Sequence, residues 1–433
     1  DGELQLDTFG ALAEDTHFRG AATSAPGRIL GQLENSTGVT LDGCLLRRAH
    51  VMGETPRESW IAHQVVFGLH FDPNEPWAFC GASFSIPLLT SWVAPRSAEV
   101  SMDFDADGRV QKIGVATLVD RLPLWEIGSH MVELAKSAGV KDVAEGITEL
   151  TARFDVRSLC PAPVAADDFF GTTIRPLQLL IGLSTGTFTA PVRGQVYNEP
   201  QSASVPLRGF DRRWHSQGAH ARAADATYGF SYADFAGLPH EVRSRWLERL
   251  RTLRPVIDLY LATLQSRGYA EQNFVFIVQA LETYHRISSA GSIVSEEMWN
   301  TLRGQLSACV DSMPHGFPGR SRALAALNGK LQYLNEPGLR ARLKQLIASL
   351  GEMAKDVVGA DVAGFVGRVT DTRNYYTHWT VELAPKAMRD TALFHASLRL
   401  QAVLEVLLLR EVGFADDSSA IREVVRRRVA WIR

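Results

Sequence analysis

The chain has 433 residues, of which 45% are hydrophobic and 21% charged. That excludes wholesale disorder and, at roughly 100–200 residues per domain, points to two or three domains. Four scattered cysteines (Cys44, Cys80, Cys160, Cys309) with no C-x-x-C pair exclude a disulfide framework or a cysteine-rich zinc site, and a cytoplasmic setting is the default expectation. The net charge of −3 hides a split: residues 1–236 hold 19 Lys+Arg against 28 Asp+Glu (−9), and residues 237–433 hold 26 against 20 (+6). A basic half is a weak pointer to an anionic partner.

In chain order, the first half reads as strands. Val39–Arg47 and Trp60–Phe71 are rich in branched and aromatic residues between turn formers, as strands are. Phe79–Trp92 is another apolar stretch, broken by Gly and Pro. Glu99–Phe104 and Arg109–Leu118 form a hairpin around Asp107-Gly108, a strong turn dipeptide. Ile127–Ala138 and Val164–Leu183 read as helices, with Pro176 breaking or starting the second. Gln195–Val205 reads as extended, and the polar Asp211–Gly229 as a loop near a domain boundary. Short strands between turns suggest a sandwich- or barrel-like domain.

Beyond Pro239 the period changes to that of helices. Helical spacing covers Glu241–Leu253, Pro255–Gln265, Glu271–Ser289, Ser295–Val310, Gly319–Asn335, Leu339–Leu350, Asp361–His378, Lys386–Val412 and Ser418–Arg433. The expected class is therefore α+β, with a β-rich domain over 1–236 and an all-helical domain over 237–433. Strongly apolar runs such as Ala402–Leu409 fall short of the ~18 residues of a membrane helix. No charged-then-apolar leader opens the sequence as given, and no membrane is expected among the partners.

Several motifs fail on inspection. Asp103-Phe-Asp-Ala-Asp107-Gly108 opens like a calcium loop, but its twelfth position is Gly114 rather than Glu. Gly182-Leu-Ser184-Thr-Gly186 matches a nucleophile elbow, yet Thr187–Pro191 is a poor helix start. No phosphate loop, dinucleotide fingerprint or H-E-x-x-H occurs.

One constellation stands. Arg373-Asn374-Tyr375-Tyr376-Thr377-His378 sets an Arg five residues before a His. With 38 Arg and 12 His, about one such pair is expected by chance, so context carries the weight: the pair ends a helical segment of the basic half. Read bare, it fits an exposed Arg and a His that caps a helix end. Glu282, His285 and Arg286 of Leu281-Glu-Thr-Tyr-His-Arg286 share one helix face. They could orient Arg373 or meet an anionic partner; they could equally brace two helices. Arg426–Arg428 is a basic cluster that could track phosphates, though a solvated face is the commoner use.

With these residues in view, the helical half resembles a HEPN domain, a class of small helical ribonucleases marked by Arg, four to six residues, then His, with Asn commonly after the Arg. The whole chain resembles the ApeA family of bacterial anti-phage proteins, through the RNYYTH segment, the Leu281–Arg286 motif, and the short strands around Val51–Gly53 and Gly68–Phe71 followed by Ser91-Trp92. The loop Arg208–Arg222 has no counterpart motif in that family.

The resemblance implies a HEPN core at about 266–433 acting as an endoribonuclease, with Arg373 and His378 catalytic and Asn374, Glu282, His285 and Arg286 supporting. It implies no metal, no cofactor and a 2′,3′-cyclic phosphate product. The substrate would be an RNA, such as a tRNA or another structured RNA with exposed loops, and a phage-encoded trigger would act on the N-terminal domain. On an ideal helix five residues turn about 500°, leaving Arg373 and His378 about 140° apart. The resemblance answers that divergence with a two-fold homodimer through the HEPN domain. The rival expectation is a non-catalytic HEPN module that binds RNA or a protein.

Overall fold

The protein is seen in a computed structural model, which describes residues 4–9, 27–52, 55–93, 98–117, 121–144, 147–198, 205–209, 227–265, 268–289, 291–312, 314, 316, 318–430 and 432. The β-rich part comes first, with β1 (Leu4–Phe9), β2 (Arg28–Gln32), β3 (Gly38–Asp42), β4 (Leu45–Met52), β5 (Thr55–Ala62), β6 (Gln64–Phe67) and β7 (Ala78–Ser85). A short helix α1 (Leu89–Val93), the pair β8 (Ala98–Phe104) and β9 (Val110–Thr117), then β10 (Arg121–Ile127), β11 (His130–Ala144) and β12 (Ile147–Ala165) follow. Next come α2 (Ala166–Phe169), a π-helical turn at Phe170–Ile174, α3 (Arg175–Thr185), β13 (Arg193–Tyr197) and β14 (Val205–Gly209). Every pairing among the described residues is antiparallel. Among the described residues, nine strands form one sheet in the order β10-β11-β12-β7-β13-β14-β6-β3-β2, with β1-β5-β4 and β8-β9 as smaller sheets.

The helical part runs through α4 (Tyr232–Ala236), α5 (His240–Gln265), α6 (Ala270–Ser288), α7 (Glu296–Asp311), α8 (Arg320–Leu331), α9 (Leu339–Ala348), α10 (Met353–Val358), α11 (Val362–His378), α12 (Asp390–Val412) and α13 (Ser419–Val429). The α+β class is thus observed, β-rich first and all-helical after. The chain divides into two compact units, Asp1–Glu248 with Val412–Phe414, and Arg249–Glu411 with Ala415–Arg433.

In the first unit, the turn of the β8–β9 hairpin follows from its sequence. The Asp105 carboxylate accepts from the backbone of Asp107 and Arg109, and Gly108 supplies φ +77°. Other readings change. Val39–Arg47 is two strands, broken at Gly43 with φ +60°, and Trp60–Phe71 is split after Ala62. Ile127–Ala138 is no helix: it is the end of β10 and the start of β11. His130, Val132 and Leu134 are buried at every second position, and β10 and β12 satisfy the backbone on both sides. Tertiary pairing overrode a local period that suited either state. In Val164–Leu183, β12 ends at Ala165 before the helical turns begin, and Pro176 follows the π-helical turn without a break; the Thr172 carbonyl, four residues before it, accepts the Trp125 indole N–H at 3.0 Å instead. Residues 199–204, between β13 and β14, lie outside the described residues, as do 53 and 210–226 of the segments discussed above. Rings of Trp92, Trp125, Phe230, Phe235 and Trp246 pack against one another at 5.6–6.4 Å.

In the second unit, Ser295, Asp361 and Ser418 cap α7, α11 and α13 by accepting backbone N–H bonds, each worth about 1 kcal/mol. Pro255 does not divide α5. The carbonyl it frees is that of Arg251, an exposed residue. Helix α12 is buried on every side from Gln401 to Leu409, as a central core helix is. Contrary to the reading of its short apolar runs, it is long and apolar enough to cross a membrane, yet 72% of that stretch is buried within the protein.

Glu405 lies in the middle of this helix and is fully buried, so it needs counter-charges. Arg428 of α13 forks onto it at 3.1 and 3.2 Å, Arg427 approaches to 3.6 Å, and the Tyr260 hydroxyl donates at 2.9 Å. Burial pushes the Glu405 carboxyl up, but the two arginines and Tyr260 outweigh it and hold it below the ordinary value. Arg427 and Arg428 thus serve the core, while Arg426 is exposed and pairs with Glu423 on the surface.

Candidate active site

Helix α11 sets the site by its period. Phe365, Val366, Val369 and Thr372 are its buried face. Arg373, four residues after Val369, falls at the edge of that face and is partly exposed. His378, the last helical residue, is exposed. The helix stays regular up to His378, and the chain then leaves it through Trp379 at φ +51°. Within one chain the Arg and His therefore stand on faces about 140° apart.

Arg373 faces α6. Its Nη2 lies 3.6 Å from Glu282 Oε2, and Nη1 donates to Asn374 Oδ1 at 3.3 Å. These contacts use two of the five N–H donors of the guanidinium. The other Glu282 oxygen takes Arg286 at 3.3 Å, Arg286 reaches Glu336 at 2.9 Å, and Glu336 takes Arg342 at 2.9 Å. The result is a ladder of alternating sign, Arg373–Glu282–Arg286–Glu336–Arg342, tying α11, α6 and α9 together. Glu282 is mostly shielded, so its bonds are screened less than those of a surface pair.

His285 lies apart from this exposed edge, 1% exposed. Arg342 donates to its Nδ1 at 3.3 Å, so its Nε2 carries the proton and donates to Gln345 Oε1. The ring is a packed, fully partnered group, and it reaches no solvent. Arg342 itself is buried, donates to the Pro337 carbonyl at 2.7 Å, and has its guanidinium pushed down by burial and by Arg286.

The segment after α11 folds back over the helix end. The Met388 N–H donates to Thr372 Oγ1 at 3.0 Å, and the Tyr376 hydroxyl donates to the Met388 carbonyl at 3.1 Å. Tyr375, Tyr376 and Trp379 form a ring cluster, and the Arg389 guanidinium lies 5.7 Å from the Tyr375 centroid. None of Glu336, Arg342, Gln345 or Trp379 was singled out in the sequence. Arg342 carried the clearest signal, an Arg four residues before Leu346 on the apolar face of α9 that calls for an acid.

Ser184 offers no elbow. It sits inside α3, fully buried, and its hydroxyl donates to the Phe230 carbonyl at 2.6 Å. Among the described residues no group of His, Cys, Asp and Glu is placed to hold a metal.

Compared with protein families, residues 1–227 match the model described as ApeA N-terminal domain 1, and residues 275–418 match Apea-like HEPN. The chain belongs to the ApeA family. In this ApeA protein the HEPN match spans α6 to α12 and holds both Arg373 and His378, together with the charge ladder. No match appears among curated proteins or solved structures.

Proposed function

We propose that this ApeA protein is a cytoplasmic anti-phage effector whose HEPN domain cleaves RNA without a metal. The observation that carries the reading is the setting of the motif. Arg373 is positioned by Glu282 and Asn374, while His378 stands exposed at the end of the same helix. The RNA's own 2′-OH attacks the adjacent phosphorus, the bond to the 5′-oxygen breaks, and a 2′,3′-cyclic phosphate and a 5′-hydroxyl result. One group must take the 2′-OH proton and one must give a proton to the leaving oxygen. An imidazole with an unperturbed pKa near 6.5 serves either role. Arg373 stabilises the charge on the phosphoryl oxygens through its remaining donors. DNA lacks the 2′-OH and is not a substrate.

The divergence of the two side chains on α11 favours a site completed by a second copy. In a two-fold dimer the His378 of each chain can take one of the two proton roles while both Arg373 residues face the phosphate. Single-stranded loops of a tRNA or similar RNA suit in-line attack because their bases can splay. The β-rich domain holds the nuclease in check and responds to a phage product.

The test is RNA cleavage by the purified chain with Arg373→Ala and His378→Ala, alongside phage challenge of cells carrying each. Loss of about 10²–10⁴-fold is expected for His378→Ala and about 10²–10³-fold for Arg373→Ala, with protection lost in both. Cleavage that survives both substitutions sinks the nuclease reading. RNA binding without cleavage in the unaltered protein would leave the non-catalytic module.

A further inference from the structure

The residue that follows His378 has no part in the chemistry above. Trp379 is 68% exposed, and it occupies the left-handed conformation, φ +51°, that ends α11. Glycine and asparagine fill that position at helix ends because a large side chain there strains the backbone. A tryptophan in this place costs backbone energy, and with most of its surface open it recovers little of that by burial.

The indole is nonetheless held. Its centroid lies 5.5 Å from that of Tyr375 and 6.4 Å from that of Tyr376, with the planes inclined at 61° and 88°. Tyr376 is in turn anchored by its hydroxyl bond to the Met388 carbonyl. Tilted, edge-type contacts of this kind fix a ring while leaving surface for a planar guest. Charges of both signs surround the ring cluster: the Arg389 guanidinium lies 5.7 Å from the Tyr375 centroid, Lys386 is exposed on the segment that folds back, and Glu271, Glu382 and Asp390 oppose them.

We propose that Trp379 is a stacking platform for one unpaired RNA base next to the phosphate at His378, and so selects single-stranded over duplex substrate at that nucleotide. The proposal rests on the ribonuclease reading. Trp379 directly follows His378, one backbone step of about 3.8 Å, so one short strand can meet both residues. Stacking accepts every base, which suits an enzyme that reads an unpaired loop rather than a sequence. The rival occupant is a second copy of this chain, covering Trp379 together with the exposed Val381 and Phe394.

The test uses the full chain with His378→Ala as the parent, so that RNA survives the measurement, and a labelled oligouridylate as probe. In that background Trp379→Asn should weaken binding about tenfold or more. The slope of log affinity against log salt should stay as in the parent, because no charge is lost. Trp379→Phe should keep most of the affinity. The melting temperature of Trp379→Asn should be unchanged or higher, since asparagine suits the left-handed position. A Trp379→Asn protein that binds like its parent overturns the proposal. So does weaker binding accompanied by a change from dimer to monomer in sedimentation, which assigns the indole to the second copy. Failure of the ribonuclease reading shows separately, as cleavage that survives Arg373→Ala and His378→Ala in chains that still carry Trp379.

Discussion

The two units bury polar groups by different means. Both bury carboxylates, Glu58 and Glu133 in the β-rich unit and Glu405 in the helical one. In the β-rich unit the neighbours of the buried His130 are uncharged: its Nδ1 lies 3.2–3.3 Å from Cys160 Sγ, Ser158 Oγ and Thr172 Oγ1. In the helical unit Glu405 lies between two arginines, and the Arg373–Arg342 ladder runs at the edge of the site. A sheet leaves hydroxyls and imidazole to satisfy one another at close range across neighbouring strands. Helices packed around α12 bring long side chains inward from several directions, and opposite charges can meet. The helical unit thereby holds fixed charge, and fixed charge is what phosphate chemistry needs. The lesson is that the difference in net charge between the two halves is less telling than where each half keeps its charge.

The comparison breaks most readily at Glu405. Glu405→Ala leaves Arg427 and Arg428 facing a hole, and a loss of about 3–5 kcal/mol is expected in the helical unit. Urea unfolding followed by hydrogen exchange would localise it, and a loss below about 1 kcal/mol would show the pair to be dispensable. Glu282→Gln is a finer cut. It keeps the shape of α6 but removes the charge that positions Arg373, so cleavage should fall about ten- to a hundredfold with the fold intact by circular dichroism. Cleavage at the parent rate would reduce the ladder to bracing.

The smallest expected effect is that of pH. Burial pushes the His130 imidazole below its ordinary 6.5, with Asp168 opposing. The folded state then resists a proton that the unfolded chain accepts. This contribution is complete above about 6.5 and drains as pH falls from there toward the lowered value. The Glu405 carboxylate, held below 4.5, keeps its contribution throughout that window and loses it only as pH falls further. Hydrogen exchange at pH 7.5 and 5.5 should therefore show the β-rich unit loosening first, and His130→Gln should flatten the difference. Equal loosening of both units would contradict this.

Much of the helical unit was legible, because caps and periods are local. Ser295, Asp361 and Ser418 mark helix starts with oxygens that do the same work in any protein. The β8–β9 turn was legible for the same reason, through Asp107-Gly108, although the part of the Asp105 carboxylate was not. The strand β11 was not, because its apolar spacing suits a helix until β10 and β12 are seen beside it. Of the site, Arg373 and His378 were visible as a spacing and Glu282 as part of a motif. Their geometry was not, since Glu282 and Arg373 are 91 positions apart and only packing brings α6 against α11. Trp379 was passed over because a conformation such as φ +51° has no signature in a tryptophan.

Glu282 can also be described as a resident counter-ion. Each of its oxygens serves a different arginine. On the proposed reading a phosphodiester arriving at Arg373 takes the donors that Glu282 and Asn374 leave free, and the carboxylate stays where it is. Arg373 is then stored already aimed, and no buried charge is stranded when the guest arrives or leaves.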